Sequence, residues 1–170
     1  VSEPAKVQIV FGESRQLALT EKQLSTNAQE ASEGPIANLI DGNTGSYFHT
    51  AWSGAVPASP HWFPIDVKKE ITYFKYESVA RNGNNIPDDV DIMGSNDGVN
   101  FELIANLTKA KNGMLMSTTP YMSPIMGDSS KPYRYIRYSV NHTNTGSVFF
   151  SMAEFKLFEV DASVVDPEAE

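Results

Sequence analysis

Short runs of β-branched and aromatic residues, separated by turn residues, recur along the whole chain, and the periodicity of an amphipathic helix is nearly absent. This pattern predicts an all-β sandwich of about eight main strands. The strands are expected at residues 6–10, 61–67, 70–79, 89–95, 100–105, 114–121, 133–140 and 148–160. Alternation in two of these runs predicts core faces, formed by Phe63, Ile65 and Val67 in one run and by Ala153, Phe155 and Leu157 in the other.

Two turn signals lie within this pattern. Residues 95–98 are Ser-Asn-Asp-Gly between two strand-like runs, and Asp-Gly tolerates the positive φ that a tight hairpin turn requires. Residues 35–40 begin with Pro and are followed by Gly42, which predicts a helix of at most about two turns.

The chain of 170 residues is long enough for one domain to build a full core without covalent staples. The absence of cysteine excludes disulfides, thiolate metal sites and a cysteine nucleophile. We expect a lead-in at residues 1–33 able to supply an edge strand, a β-sandwich at 34–160, and an acidic tail or linker at 161–170. A start at Val1 without Met is expected of a segment cut from a longer parent or of a processed product.

The number and distribution of charged residues argue against two classes of binding partner, nucleic acids and membrane surfaces. A net charge of −8 argues against nucleic acid, because a phosphate backbone selects for clustered Lys and Arg, and the 13 basic residues here are scattered. Membrane-surface binding needs exposed apolar residues beside basic ones and fits this chain poorly. No run approaches the 18 or so consecutive apolar residues of a membrane-spanning helix.

Residues 41–46, Asp-Gly-Asn-Thr-Gly-Ser, form an oxygen-rich loop with hard ligands of the kind that calcium prefers. The helix-loop-helix calcium motif fails here, because it requires Asp or Asn at 45, Gly at 46 and Glu at 52, where the chain has Gly45, Ser46 and Trp52. By spacing alone, a plain turn and a metal loop both remain open.

Six segments in order resemble the discoidin domains, also called coagulation factor V/VIII type C domains, over about residues 34–158. They are Ala-Asn-Leu-Ile-Asp-Gly-Asn at 37–43, Tyr-Phe-His-Thr-Ala-Trp at 47–52, His-Trp-Phe-Pro-Ile-Asp-Val at 61–67, Gly-Ser-Asn-Asp-Gly at 94–98 followed by Phe101, Tyr-Arg-Tyr-Ile-Arg at 133–137, and Met-Ala-Glu-Phe at 152–155. The resemblance implies a galactose-binding-like β-sandwich of jelly-roll type, of the sort appended to bacterial hexosaminidases (chitobiases).

The resemblance also implies one structural calcium ion. Its ligands would be the backbone carbonyl of Asn38, the carboxylate of Asp41, the backbone of Asn43, the hydroxyl and backbone of Ser46, the carbonyl of Ala153 and the carboxylate of Glu154. Two carboxylates would offset the charge of the dication, and the site would join the last strand to a loop more than a hundred residues earlier.

Three loops carry residues suited to a sugar, which needs aromatic faces and a few fixed polar groups. The candidate ligand-binding residues are His49, Trp52, Arg81, Asn85 and Phe149. The resemblance implies a shared site for a His, an Arg, an Asn and a late aromatic residue. Other roles remain open: Trp52 and Phe150 equally fit plugs of the sandwich end, His49 equally fits a hydrogen bond to a loop carbonyl, and His61 and Trp62 are expected to be structural.

The expected function is a non-catalytic carbohydrate-binding module that targets a parent glycan-degrading enzyme or surface protein to galactose-type or amino-sugar glycans, outside the cytoplasm. Its partners would be a weakly bound glycan and other domains of the parent chain. Short catalytic signatures are missing from the sequence. Asp41 and Glu154 could form a glycosidase acid and nucleophile pair, but the resemblance assigns both carboxylates to calcium. The alternative is a structural or protein-binding discoidin domain without sugar affinity.

Overall fold

The computed structural model describes residues 8–165, and within them the strands pair antiparallel. The strands are β1 (Gln8–Gln16), β2 (Phe48–His49), β3 (His61–Ile71), β4 (Tyr73–Val79), β5 (Pro87–Ser95), β6 (Glu102–Thr108), β7 (Tyr121–Met122), β8 (Met126–Gly127), β9 (Tyr133–Thr143), β10 (Ser151–Met152) and β11 (Glu154–Val165). Two 3-10 helices, Glu21–Gln23 and Ile36–Ile40, and one short helix, α1 (Lys109–Asn112), complete the elements.

Two sheets face each other across the core. One has the order β1-β11-β4-β7, with β8 also paired to β4, and the other has the order β3-β9-β5-β6, while β2 and β10 form a separate two-stranded ribbon. The sheets meet through a set of buried aromatic rings. Phe63 stacks on Tyr138 at 5.2 Å within one sheet, and the edge of Phe155 in the other sheet meets the Phe63 ring at 5.1 Å. The two predicted core faces are therefore confirmed.

Most predicted strands and both turn signals are confirmed, with shifted ends. The expected short helix at 35–40 is the 3-10 helix Ile36–Ile40. The hairpin at 95–98 joins β5 to β6, with Gly98 at φ +74° and Asp97 accepting backbone hydrogen bonds from Val99 and Asn100, each at 2.8 Å.

The strand predicted at 114–121 is wrong, because only Tyr121–Met122 pairs with a neighbour in this part of the chain. Leu115 and Met116 are consecutive and both fully buried, whereas a strand would send one of them to the opposite face. This segment is a loop that inserts two apolar side chains into the core, and it is fixed by the bond from the Ala80 N–H to the Ser117 carbonyl at 2.7 Å.

Both ends of the chain differ from the expected boundaries. Strand β1 runs to Gln16 rather than ending at residue 10, and it pairs with β11, which continues to Val165 through the first half of the predicted tail. Residues 1–7 and 166–170 lie outside the described residues. Part of the expected lead-in belongs to the sandwich, since Leu24 and Ala28 are buried and Leu24 bridges to Ile65.

Residues 8–165 contain no helix that is both long and apolar enough to cross a membrane.

Candidate functional site

Three loops meet at one end of the sandwich, where β2 and β10 pair. They are residues 50–60 between β2 and β3, residues 80–86 between β4 and β5, and residues 144–150 between β9 and β10. Thr50 joins two of them, because its backbone N–H donates to the Phe150 carbonyl and its Oγ1 accepts from the Phe150 N–H, both at 2.9 Å. Fully buried His61 extends this link, with its Nδ1 2.8 Å from Thr50 Oγ1 and its Nε2 2.8 Å from the Pro57 carbonyl. The predicted structural role of His61 is confirmed, and Phe150, which is 0% exposed, plugs the core.

The loop before the 3-10 helix Ile36–Ile40 packs tightly against β2. Gly34 adopts φ +64°, and a Cβ at this position would lie 2.6 Å from the His49 backbone nitrogen. The close approach allows the His49 N–H to donate to the Gly34 carbonyl at 3.0 Å. Only glycine combines the left-handed backbone with this contact, so Gly34 sets the distance between its loop and the strand that carries His49.

His49 is almost fully buried, at 4% exposed, and adjoins the aromatic rings at this end of the sandwich. Its Nδ1 is 2.7 Å from the carbonyl of Thr50, and since a carbonyl only accepts, Nδ1 carries the proton. In the neutral ring, Nε2 is then an acceptor. The ring centroid is 6.3 Å from that of Trp52 and 5.9 Å from that of Phe149. Trp52 is 46% exposed, which contradicts its alternative role as a plug, and Phe149 is half-buried.

A second set of contacts runs beside His49 and ends at an exposed arginine. The guanidinium carbon of Arg81 lies 3.7 Å from the centroid of the Tyr47 ring. The Tyr47 hydroxyl donates to Glu33 Oε2, and the indole Nε1 of Trp52 donates to Glu33 Oε1 at 2.8 Å. The hydrogen bond from Tyr47 is the main cause that lowers the pKa of Glu33, so this carboxylate is ionised at neutral pH.

Asn85 lies at the edge of the same surface and joins two loops. Its Oδ1 accepts from the Thr145 hydroxyl at 2.8 Å and from the Ser147 hydroxyl at 2.9 Å, while its backbone has φ +55°. Ser147 in turn precedes Phe149 by two residues, and its hydroxyl oxygen also lies 2.9 Å from the Phe149 carbonyl, so its one proton is shared between Asn85 Oδ1 and that carbonyl. Asn85 thus fixes the loop that carries Phe149, and its Nδ2 has no partner among the described residues.

All five sequence-predicted ligand-binding residues therefore lie at one end of the sandwich. His49, Trp52 and Phe149 adjoin directly, Arg81 is linked to them through Tyr47 and Glu33, and Asn85 is linked through loop 145–149. The sequence reasoning missed Glu33, which is one of 21 acidic residues and carries no local signal. Its partners lie 14 and 19 residues away in the chain.

The aromatic faces, the guanidinium and the carboxylate of this surface suit a particular chemistry. Arg81 offers donors in a planar fork, while Glu33 and His49 Nε2 offer acceptors. Trp52 and Phe149 present apolar rings beside these groups. A ligand that fits has one apolar face and several adjacent hydroxyl groups, each able to donate and accept.

The oxygen-rich loop forms a separate cluster. The Asn43 N–H lies 2.9 Å from Asp41 Oδ1 and 3.1 Å from Glu154 Oε1, so two carboxylates 113 positions apart in the chain converge on one amide. Ser46 donates its hydroxyl to Asp41 Oδ2. The structure thus brings together four of the six predicted metal ligands. The other two predicted ligands are their near neighbours in the chain. Asn38 lies in the 3-10 helix Ile36–Ile40, shortly before Asp41, and Ala153 directly precedes Glu154.

The charges of this cluster are uncompensated by cationic side chains. Among residues 8–165, neither Asp41 nor Glu154 forms an ion pair with Lys, Arg or His. Burial, followed by the neighbouring Asp41, raises the pKa of Glu154 to about 7. Burial also opposes ionisation of Asp41, but hydrogen bonds from Ser46 and Asn43 outweigh it and lower the pKa of Asp41. Two facing carboxylates beside hydroxyl and carbonyl oxygens fit a hard divalent cation.

Comparison with known protein families gives a match over most of the chain. The model of the F5/8 type C domain family matches residues 22–155, which include the 3-10 helix, both short strands of the ribbon and Glu154. Among curated proteins, none matches the sequence.

Solved structures with the same fold cover most of this chain. The C-terminal domain of a chitobiase from Bacteroides fragilis is 21% identical, with a TM-score of 0.64 over 89% of this chain and 99% of that one. The family 32 carbohydrate-binding module of NanJ from Clostridium perfringens, in complex with galactose, is 21% identical, with a TM-score of 0.62 over 86% of this chain and 100% of that one. CpGH89CBM32-5 from Clostridium perfringens, in complex with GalNAc-β-1,3-galactose, is 17% identical, with a TM-score of 0.64 over 84% of this chain and 99% of that one.

Proposed function

Because this chain belongs to the F5/8 type C domain family, we propose that it is a non-catalytic carbohydrate-binding module that recognises a terminal galactose-type or N-acetylgalactosamine-type sugar. The observation that carries the proposal is the convergence of His49, Arg81 and Glu33 with the rings of Trp52 and Phe149 at one end of the sandwich. The solved complexes with galactose and with GalNAc-β-1,3-galactose support the choice of sugar.

Each group has a role in this proposal. Arg81 donates two hydrogen bonds to adjacent hydroxyls, and His49 Nε2 and Glu33 accept from hydroxyls. The ring of Trp52 or Phe149 packs against the C–H face of the sugar, and Asn85 Nδ2 donates at the rim. We expect a dissociation constant of about micromolar to millimolar, which corresponds to a binding free energy of roughly 4 to 8 kcal/mol in favour of the complex.

Binding of this strength suits a targeting module. Retention on a glycan surface would come from several modules or from a parent enzyme that adds its own contacts. We therefore propose that the domain belongs to a glycan-degrading enzyme or surface protein outside the cytoplasm, as the likeness to the chitobiase domain suggests. Asp41 and Glu154 converge on the Asn43 amide rather than on the aromatic surface, which supports a structural role for this pair over a glycosidase role.

We also propose that one calcium ion binds at the second cluster. Asp41 and Glu154 would supply the charge, and Ser46, with the carbonyls of Asn38, Asn43 and Ala153, would supply neutral oxygens. The ion would stabilise the fold by joining the start of β11 to the loop after the 3-10 helix Ile36–Ile40.

Titration calorimetry with galactose and N-acetylgalactosamine tests the sugar proposal. Wild type should bind, and Arg81→Ala should lose measurable binding because the hydroxyl pair loses its donors. Arg15→Ala is the matched control, since Arg15 is an exposed arginine whose ion pairs are to Asp161 and Glu159 on β11. Equal binding by wild type and Arg81→Ala, or no binding by wild type at millimolar sugar, would favour a structural or protein-binding domain instead.

A further inference from the structure

A buried carboxylate lies behind the proposed sugar surface, at Glu30, which is 3% exposed. The segment around it pairs with the chain after β2. The Glu30 N–H donates to the His49 carbonyl at 3.2 Å, the Ala51 N–H donates to the Ala28 carbonyl at 2.8 Å, and Gln29 bridges to Thr50. This pairing leaves two loop tips side by side, residues 31–34 and residues 51–54.

The Glu30 carboxylate accepts hydrogen bonds from both tips. Oε2 accepts from the Ser32 N–H at 3.2 Å and from the Ser32 hydroxyl at 2.5 Å. Oε1 accepts from the Trp52 N–H at 3.2 Å and from the Ser53 N–H at 3.1 Å, and the Ser53 hydroxyl lies 2.9 Å and 2.7 Å from the two oxygens. All of these donors are neutral, and the serine hydrogen bonds, with Ser32 first, lower the pKa of Glu30 to about 2.

Each tip also carries one group of the sugar surface. Glu33 follows Ser32 directly, and Trp52 is itself one of the anchored residues. The bond from Trp52 Nε1 to Glu33 Oε1, at 2.8 Å, spans the gap between the tips. Its length and direction depend on the relative position of two backbones, and the Glu30 carboxylate is hydrogen-bonded to both.

We propose that Glu30 is a positioning residue of the sugar site, whose buried carboxylate holds the Trp52 loop and the Glu33 loop in the register that sugar binding requires. An ionised acceptor with two oxygens can hold this many donors at once. An amide of the same size cannot, because in either orientation its NH₂ group would face at least one backbone N–H donor, that of Ser32 or those of Trp52 and Ser53. The inference rests on the proposed function only for its effect on sugar affinity, since the position of Trp52 is measurable without sugar.

The test uses Glu30→Gln in a Trp62→Phe background, where Trp52 is the sole tryptophan. We expect the variant to stay folded, with a changed Trp52 emission maximum and an increased acrylamide quenching constant. Galactose binding should weaken about tenfold, as for the loss of hydrogen bonds to a charged group. Glu21→Gln is the matched control, because Glu21 is exposed, and it should leave Trp52 emission and binding unchanged.

Serine variants keep the test decisive if Glu30→Gln fails to fold. Ser53→Ala and Ser32→Ala each remove one hydroxyl donor but keep the charge and the backbone N–H, so a smaller change in Trp52 quenching is expected from each. Folded Glu30→Gln protein with wild-type Trp52 emission and quenching would overturn the proposal, as would unchanged Trp52 signals in both serine variants.

The two proposals can fail separately. If wild type binds no sugar, the proposed function fails, and the Trp52 measurements alone decide the role of Glu30 in loop position. If wild type binds and Glu30→Gln binds equally well, the positioning role is wrong and the proposed function stands.

Discussion

The guanidinium of Arg81 lies over the ring of Tyr47, with 3.7 Å between the Arg81 Cζ and the ring centroid. The same tyrosine donates its hydroxyl to Glu33. Tyr47 therefore links the proposed sugar donor, Arg81, to one of the two proposed acceptors, Glu33, through one rigid side chain. An arginine without this support would lose more rotamer entropy when it binds a ligand. Stacking on Tyr47 restricts Arg81 beforehand, so less of the binding free energy is spent on ordering its side chain.

Tyr47 variants should separate these two links. Tyr47→Leu removes the ring beneath Arg81, a cation–π contact of about 0.5–1 kcal/mol at an exposed site, so galactose affinity should fall severalfold. Tyr47→Phe keeps the ring, loses only the bond to Glu33, and should bind more tightly than Tyr47→Leu. Calorimetry of both variants checks the order, and wild-type affinity in Tyr47→Leu would show that the stacking is unimportant.

Gly34→Ala should destabilise the domain and displace β2. An alanine at φ +64° costs about 1–3 kcal/mol in backbone strain, and its Cβ would also lie 2.6 Å from the His49 nitrogen. Gly54→Ala is the matched control, since Gly54 has φ +66° with nothing within 4 Å of a Cβ. Urea unfolding should show a larger loss for Gly34→Ala, and only this variant should weaken sugar binding. Equal losses of unfolding free energy in the two variants would mean that the loop around residue 34 moves away from His49 without further destabilising the domain.

Asp66 and Arg134 form a bidentate ion pair, with Nε and one terminal nitrogen of Arg134 each 2.9 Å from a carboxylate oxygen. Arg134 is the main cause that lowers the pKa of Asp66 well below its ordinary value of 3.8. As the pH falls, the unfolded chain takes up this proton first. The stabilisation from ionised Asp66 is therefore complete above about pH 4 and is lost as the pH falls through the folded-state pKa.

Asp66→Asn measures this effect. Wild type should exceed the variant in free energy of unfolding at pH 7, and the difference should shrink steadily below pH 4. Urea unfolding at several pH values between 7 and 2.5 gives both curves. A difference that stays constant over this range would assign the loss to packing rather than to charge.

Calcium should raise the melting temperature of chelator-treated protein, because an ion that binds only the folded state stabilises it, by about 2.7 kcal/mol at a hundred times its dissociation constant. Asp41→Ala should abolish this shift by removing one of two carboxylates. Glu13→Ala, a change of an exposed acidic residue on β1, should retain it. Thermal scans with calcium, with magnesium and with chelator give the comparison, and an unmoved transition in wild type would count against the metal site.

The sequence pattern predicted the structure correctly where burial follows the regular alternation of a strand or where a turn depends on one or two residues. Alternation identified Phe63 and Ile65 as core residues because a half-buried strand exposes every second side chain. Likewise, the Asp97-Gly98 turn needs only a residue that tolerates positive φ. The same rule misplaced the strand at 114–121, where tertiary packing buries the consecutive residues Leu115 and Met116.

The sequence by itself determined the alternating strands and, through the resemblance, the candidates His49, Arg81, Asp41 and Glu154. Only the tertiary structure decided which groups share a surface. Glu33 joins the site through Tyr47 and Trp52, and β1 pairs with the segment expected to be a tail. These contacts connect residues distant in the chain, and their energies depend on how loops from separate strands meet in three dimensions, which no local period encodes.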